Sequence, residues 1–187
     1  MSKRRNVFVS YHHGEPGKDG DVEYRDRLKR VFELNGDTLL WGAVPDDVID
    51  QRLPEDEIRR QIRDDYLRHT SVTIVLVGAK TWQRRHVDWE IGASLRHTEF
   101  SPRSGLFGLL LPTHPDYPNK PNYSQYRIPP RLYDNLKCGY AKFYAWTENP
   151  EYIAHMIDEA YRRKSAIQPD NTRKPFVNNR DGERWYD

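Results

Sequence analysis

SVTIVLVG, residues 71–78, is the stretch on which the fold turns. It is an unbroken β-branched and aliphatic run stopped by a glycine. Such a run suits a parallel strand covered on both faces, whereas a strand with one wet face would alternate. The next residues, AKTWQRRHVDWEIGASLRH (79–97), change period. Val87, Ile91 and Leu95 recur every four positions, which predicts a loop and then an amphipathic helix. A covered strand followed by a loop and a helix is one unit of an alternating α/β fold.

The flanking sequence repeats the unit. NVFVSYHH (6–13) reads as a β-rich run ending in polar residues, and GEPGKDGD (14–21) as a loop. Residues 22–36 place Tyr24, Leu28, Val31 and Phe32 at helical spacing and stop at Gly36, a C-cap signal. DTLLWGAVPDD (37–47) reads as a short strand entering a loop. Residues 54–70 start with Pro54 and acids and carry Ile58, Ile62, Tyr66 and Leu67, which predicts another helix. GLFGLLLP (105–112) and CGYAKFYAW (138–146) read as strands. Residues 149–166 read as a helix capped by Asn149 with Pro150 in its first turn. The stretch from Thr113 to Tyr133 is rich in proline and tyrosine and reads as an irregular insertion. The expected fold class is therefore α/β: a flavodoxin-like, doubly wound sheet of about five mainly parallel strands, order 2-1-3-4-5, with helices on both faces. One domain spans 1–166, with the insertion at 113–133. Residues 167–187 form a polar tail, read as a solvated extension that Phe176, Trp185 and Tyr186 offer the means to dock.

Composition narrows the function classes. The 187 residues are 36% hydrophobic and 31% charged. No apolar run approaches the ~20 residues of a membrane span, and the basic start MSKRRNVFVSYHH lacks the apolar region of a signal peptide. Cys138 is the only cysteine, which excludes a disulfide framework or a cysteine-based zinc site within one chain. A cytoplasmic location is expected. The net charge of +2 is made of +3 from Arg162 onward and −1 elsewhere. No concentrated basic face marks a nucleic-acid binder.

Ligands of doubly wound sheets bind beyond the C-terminal strand ends at the switch point, here between the first and third strands. Two segments meet there: Ser10-Tyr11-His12-His13, and Ala79-Lys80-Thr81-Trp82 leading into the helix with Glu90. Glu90 is either a solvated acid on the helix shoulder or a carboxylate lining the cleft. His86 and Glu90, four apart, suit a hydrogen-bonded pair better than a metal site, since no third ligand is evident. His12 and His13 are strand-end histidines, one of which is expected to be exposed. Trp82 is either a packing residue or a stacking platform, and Trp89 is read as packing. Arg84 and Arg85 stand at a helix N-terminus, where cations oppose the dipole, so a use in holding an anion is a candidate role.

The run NVFVSYHH, followed by SVTIVLVGAKTWQRRHVDWEI (71–91), resembles the TIR-like proteins of the bacterial Thoeris antiphage system. The likeness covers residues 5 to 165 in order of elements and is most specific over 71–95. Residues 99–140 and the tail carry little of it. The resemblance implies a TIR-type, flavodoxin-like fold and an enzyme that cleaves NAD+ at the nicotinamide–ribose bond. It implies a cyclic ADP-ribose isomer as a diffusible signal that activates a partner effector after phage infection, and self-assembly on the phage trigger. It assigns the catalytic role to Glu90, within WEI. Ser10, Tyr11, His12, His13, Trp82, Arg85 and His86 are then the candidate substrate-binding residues. NAD+ is the substrate, and the chemistry calls for no metal and no further cofactor, because nicotinamide is already a cationic leaving group. A non-catalytic TIR-like adaptor, acting by self-association or nucleotide binding, and a nucleoside deoxyribosyltransferase-like enzyme are the alternatives.

Overall fold

The computed structural model describes residues 5–14, 20–34, 54–98 and 101–186. The strand expected at 37–47 and the Gly36 cap lie outside the described residues. Among the described residues, β1 (Val7–Ser10), β2 (Val72–Val77), β3 (Gly105–Leu110) and β4 (Ala141–Ala145) form a parallel sheet in the order β1-β2-β3-β4. In a flavodoxin-like sheet these are strands one, three, four and five, adjacent as the order 2-1-3-4-5 requires. Every residue of β1, β2 and β3 is buried. That is the burial of a sheet covered on both faces, and it is why β2 reads as a continuous apolar run.

Helices cover the two faces in alternate register. Val7, Val9, Val72, Ile74 and Leu76 share a core with Leu28 and Phe32 of α1 (Val22–Leu34) and with Ile153, Ile157 and Ala160 of α5 (Pro150–Ala166). Val75 and Val77 pack on the opposite side with Val87 and Ile91 of α3 (Arg85–Ser94) and Leu132 of α4 (Pro130–Lys137). Phe8 joins Trp89 and Ala93 there, beside Ile58 of α2 (Glu55–Gln61) and Ile62 of the π-helical turn Ile62–Leu67 that continues it. Each such aliphatic or aromatic side chain contributes about 1.5–3 kcal/mol by leaving water. The strand β3 opens with Gly105 because α5 crosses it closely: a Cβ there would lie 2.2 Å from the Ala160 carbonyl oxygen. As expected, α5 is capped by Asn149, whose side chain accepts from Glu151 N at 3.0 Å and Tyr152 N at 3.3 Å.

Two readings of the sequence need correction. The expected irregular stretch is interrupted: after short 3-10 turns at Tyr117–Asn119 and Gln125–Arg127, α4 starts at Pro130. Proline is well suited to that first helical position, since its missing N–H has no partner to lose. The tail is not a solvated extension either. Phe176 and Trp185 are buried, and Trp185 donates its indole N–H to the Ile128 carbonyl at 2.8 Å. Tyr186 stays exposed. Among the described residues no helix is long and apolar enough to cross a membrane.

Candidate functional site

The period of two along β1 puts Phe8 and Ser10 on the face turned to α3. Ser10 is the last residue of the strand and the first polar one. On α3, Val87 and Ile91 hold the sheet, and Glu90, one residue before Ile91, comes to the strand's C-terminal end. The Ser10 hydroxyl donates to Glu90 Oε2 at 2.5 Å, and both side chains are buried, with Glu90 only 1% exposed. Burial of a carboxylate is costly unless it is hydrogen-bonded. Glu90 is thus a buried acid at the strand ends and not a solvated acid on a helix shoulder.

Aromatic and imidazole groups surround the same strand end. The His13 ring lies 4.4 Å from the Tyr11 ring and 5.0 Å from the His86 ring, centroid to centroid. His86 Nε2 is 3.1 Å from the Tyr11 carbonyl oxygen. A carbonyl only accepts, so this nitrogen carries the proton. His12 is buried, and its Nε2 lies 3.1 Å from Arg84 Nη2. A guanidinium only donates, so His12 accepts there and its ring proton sits on Nδ1. The Arg25 guanidinium stands 5.3 Å from the Tyr11 ring centroid, within cation–π range. Ser10, Tyr11, His12, His13, His86 and Glu90 are therefore brought together. Of the two histidines on the strand end, His12 is buried and His13 is partly so.

Two other expected site residues take different positions. Trp82, in the 3-10 turn Thr81–Gln83, is 2% exposed, so it presents no ring face to solvent and packs instead. Arg85 turns away to the C-terminal segment, donating Nη1 to the Val177 carbonyl at 3.1 Å and lying 5.0 Å from the Trp89 ring centroid. Its neighbour Arg84 is the cation at the His12 turn. The reason is local. Arg84 is the N-cap, with extended backbone (φ −90°, ψ 120°), whereas Arg85 is already helical, so the two side chains diverge.

Sequence reasoning passed over a second buried carboxylate. Asp21 caps the chain entering α1: its carbonyl accepts from Arg25 N at 3.1 Å and its N–H donates to the His12 carbonyl at 2.8 Å. Its carboxylate accepts from Thr81 Oγ1 at 3.0 Å and Thr113 Oγ1 at 3.2 Å. Asp21 thereby ties together the segments that leave β1, β2 and β3. Gly78 makes room for it, since a Cβ there would lie 2.1 Å from Asp21 Oδ1. An aspartate directly before an apolar-periodic run is an N-cap signal, and that signal was available in the sequence.

Beneath the site, α3 carries a buried ion pair. Arg131 of α4 donates Nε and Nη2 to the two oxygens of Asp88 at 2.9 and 3.2 Å, and both side chains are at most 2% exposed. The third guanidinium nitrogen donates to Asn171 Oδ1 at 2.7 Å. Gly92, one turn on, lets the guanidinium lie close against the helix: a Cβ would be 3.3 Å from Arg131 Nε. The pair fixes α3 against α4 two residues before Glu90.

Chemically, the cluster offers one buried carboxylate held by a hydroxyl, a second carboxylate on two threonines, a run of tilted ring contacts, and the Arg84 guanidinium beside His12. A carboxylate in such surroundings stabilises developing positive charge strongly, because little water screens it. The family model for the TIR-like domain of the Thoeris protein ThsB matches residues 8–116. That is more than half of the chain, and it includes all of β1 but Val7, together with Asp21, β2, Glu90 on α3, and β3. No curated protein matches the chain. The strand order, the acid at the strand ends and the extent of the match agree, and the chain belongs to the TIR-like family of the Thoeris antiphage-defence protein ThsB.

Proposed function

We propose that the chain cleaves NAD+ at the nicotinamide–ribose bond, with Glu90 as the catalytic carboxylate, and converts the remaining ADP-ribose into a signal, cyclic in form, that activates a partner effector. The observation that carries this reading is the burial of Glu90 on Ser10 at the C-terminal ends of parallel strands in a chain of this family. In the reaction the C1′–N bond breaks and its electron pair goes to the ring nitrogen, so nicotinamide leaves neutral. The ribose is left oxocarbenium-like, as in glycoside hydrolysis. Glu90 stabilises that charge and orients the ribose hydroxyls. Because the leaving group needs no proton, one carboxylate suffices. A nucleophilic group of the same molecule then bonds to C1′ and loses its proton, closing the ring; water in that role gives free ADP-ribose. His13 and His86, both only partly buried, supply the aromatic surface for a nucleobase or nicotinamide, and Arg84 supplies the cation for the pyrophosphate.

The test is Glu90→Gln, which keeps size and loses charge. Small molecules are measured by mass spectrometry in phage-infected cells expressing each form. Nicotinamide release and the ADP-ribose-derived product are expected to disappear in the variant while the protein level holds. Equal product from both forms would remove Glu90 from catalysis and favour a binding or assembly role for the site.

A further inference from the structure

The ends of α3 are finished by residues far away in the chain. Its N-cap is Arg84, which makes no side-chain cap, and a guanidinium has no acceptor to offer. The first four N–H and last four C=O groups of any helix need partners from outside it. Two asparagines of the C-terminal segment supply one at each end. Asn179 Oδ1 accepts from the Arg85 N–H at 3.0 Å, and Asn171 Nδ2 donates to the Gly92 carbonyl at 3.0 Å. Between them the segment runs antiparallel to the helix. The Phe176 N–H donates to Asp88 Oδ2 at 3.0 Å, and the Phe176 carbonyl accepts from Trp89 Nε1 at 2.9 Å. Beyond the helix start, Arg180 N donates to the Gln83 carbonyl at 2.7 Å. Buried Phe176 seats this strap.

We infer that the strap, through Asn179 and Asn171, fixes α3 and so holds the Glu90 carboxylate against Ser10, which makes the two asparagines positioning residues. The inference rests on the NAD+-cleaving reading. A helix of ten residues is too short to be stable by itself, so what holds it decides where its side chains lie. The sheet holds α3 through Val87 and Ile91, Ile58 and Ile62 pack on its Trp89 and Ala93, Arg131 of α4 pairs with its Asp88, and the strap supplies the partners at both ends. Glu90 lies between the two capped ends, and a catalytic group must be held within about 0.5 Å of its working position.

The test compares Asn179→Ala with Asn179→Asp. Alanine removes the acceptor; aspartate keeps it and suits a helix N-terminus. Hydrogen exchange is read on α3 amides of the purified full chain. Nicotinamide release is read in phage-infected cells at matched protein level, with Glu90→Gln as the zero. In Asn179→Ala the first-turn amides of α3 are expected to exchange about tenfold faster, the size of a lost cap. Release is expected to fall about three- to tenfold through misplacement of Glu90, and Asn179→Asp is expected to restore both. Unchanged exchange, faster exchange with unchanged release, or failure of Asn179→Asp to restore the loss each overturns the inference. If Glu90→Gln releases nicotinamide like wild type, it is the function reading that falls, and the exchange data still judge the clamp.

Discussion

Replacement of Arg131 by alanine isolates the energetic role of the ion pair under the site. Wild type buries both partners, joins them by two bonds of 2.9 and 3.2 Å, and turns the remaining guanidinium nitrogen to Asn171. The variant leaves the Asp88 carboxylate in the same dry surroundings without its counter-charge. Breaking a buried pair in this way costs about 3–5 kcal/mol, most of it the price of the stranded charge. In a chain of this length each kcal/mol lowers Tm by about 2–4 °C, so Arg131→Ala is expected to melt about 6–20 °C below wild type. The double variant Asp88→Leu/Arg131→Met removes both charges. It still leaves the Phe176 N–H without its acceptor, at about 1–3 kcal/mol, and so is expected to fall between wild type and Arg131→Ala. Urea unfolding followed by tryptophan fluorescence on Asp88→Leu, Arg131→Met and the double gives the coupling energy directly. An Arg131→Ala variant within about 1 kcal/mol of wild type, or single costs that simply add in the double, would show that water screens the pair and would refute the reasoning.

Two further outcomes are expected. Ser10→Ala removes the hydroxyl that donates to Glu90 Oε2; a hydrogen bond to a charged group is worth about 1.5–3 kcal/mol, so nicotinamide release in infected cells should fall about 10- to 100-fold, and wild-type release from this variant would contradict the assigned geometry. His114 is buried, accepts from the Asp116 N–H on Nδ1 at 3.1 Å and faces the Arg127 carbonyl with Nε2 at 3.1 Å, and burial holds its pKa below the ordinary 6.5. The unfolded chain then takes up the proton first, so this contribution to stability is complete above pH 6.5 and is lost as pH falls through the lowered folded value; Tm measured against pH should decline below that point, less so in His114→Gln, and an equal decline in both would assign the acid sensitivity to other groups.

The parts of the fold carried by local pattern were legible in the sequence. The continuous run of β2 announced a strand covered on both faces, the fourfold spacing of Val87, Ile91 and Leu95 announced α3, and Asn149-Pro150 announced the start of α5. Glu90 and Ser10 also came within reach, because a period of two on one strand and 3.6 on the next helix bring their faces together at a switch point. Features set by distant contacts were not legible. Helix α4 hid inside a stretch whose prolines and tyrosines read as loop. The strap has a polar composition and no period; its docking depends on Phe176 and two asparagines meeting a helix some eighty to ninety residues earlier in the chain, and on Trp185 meeting the Ile128 carbonyl. The division between Arg84 and Arg85 depends on which of two adjacent residues is the first helical one, a boundary that pattern reading places least well. Whether Trp82 packs or stacks on a ligand is likewise decided by its surroundings and not by its type.

The strap also bears on how this protein can be recombined with its relatives. The segment that matches the family, residues 8–116, contains Glu90 and all of α3, but the groups that complete the helix come from residues 171 and 179. A chimera cut at the limits of the match would move the acid into a new body and leave behind the asparagines that fit it. The unit of inheritance for the site is therefore longer than the unit of likeness. Crossovers that carry 83–92 and 171–182 together should yield working hybrids more often than those that separate them.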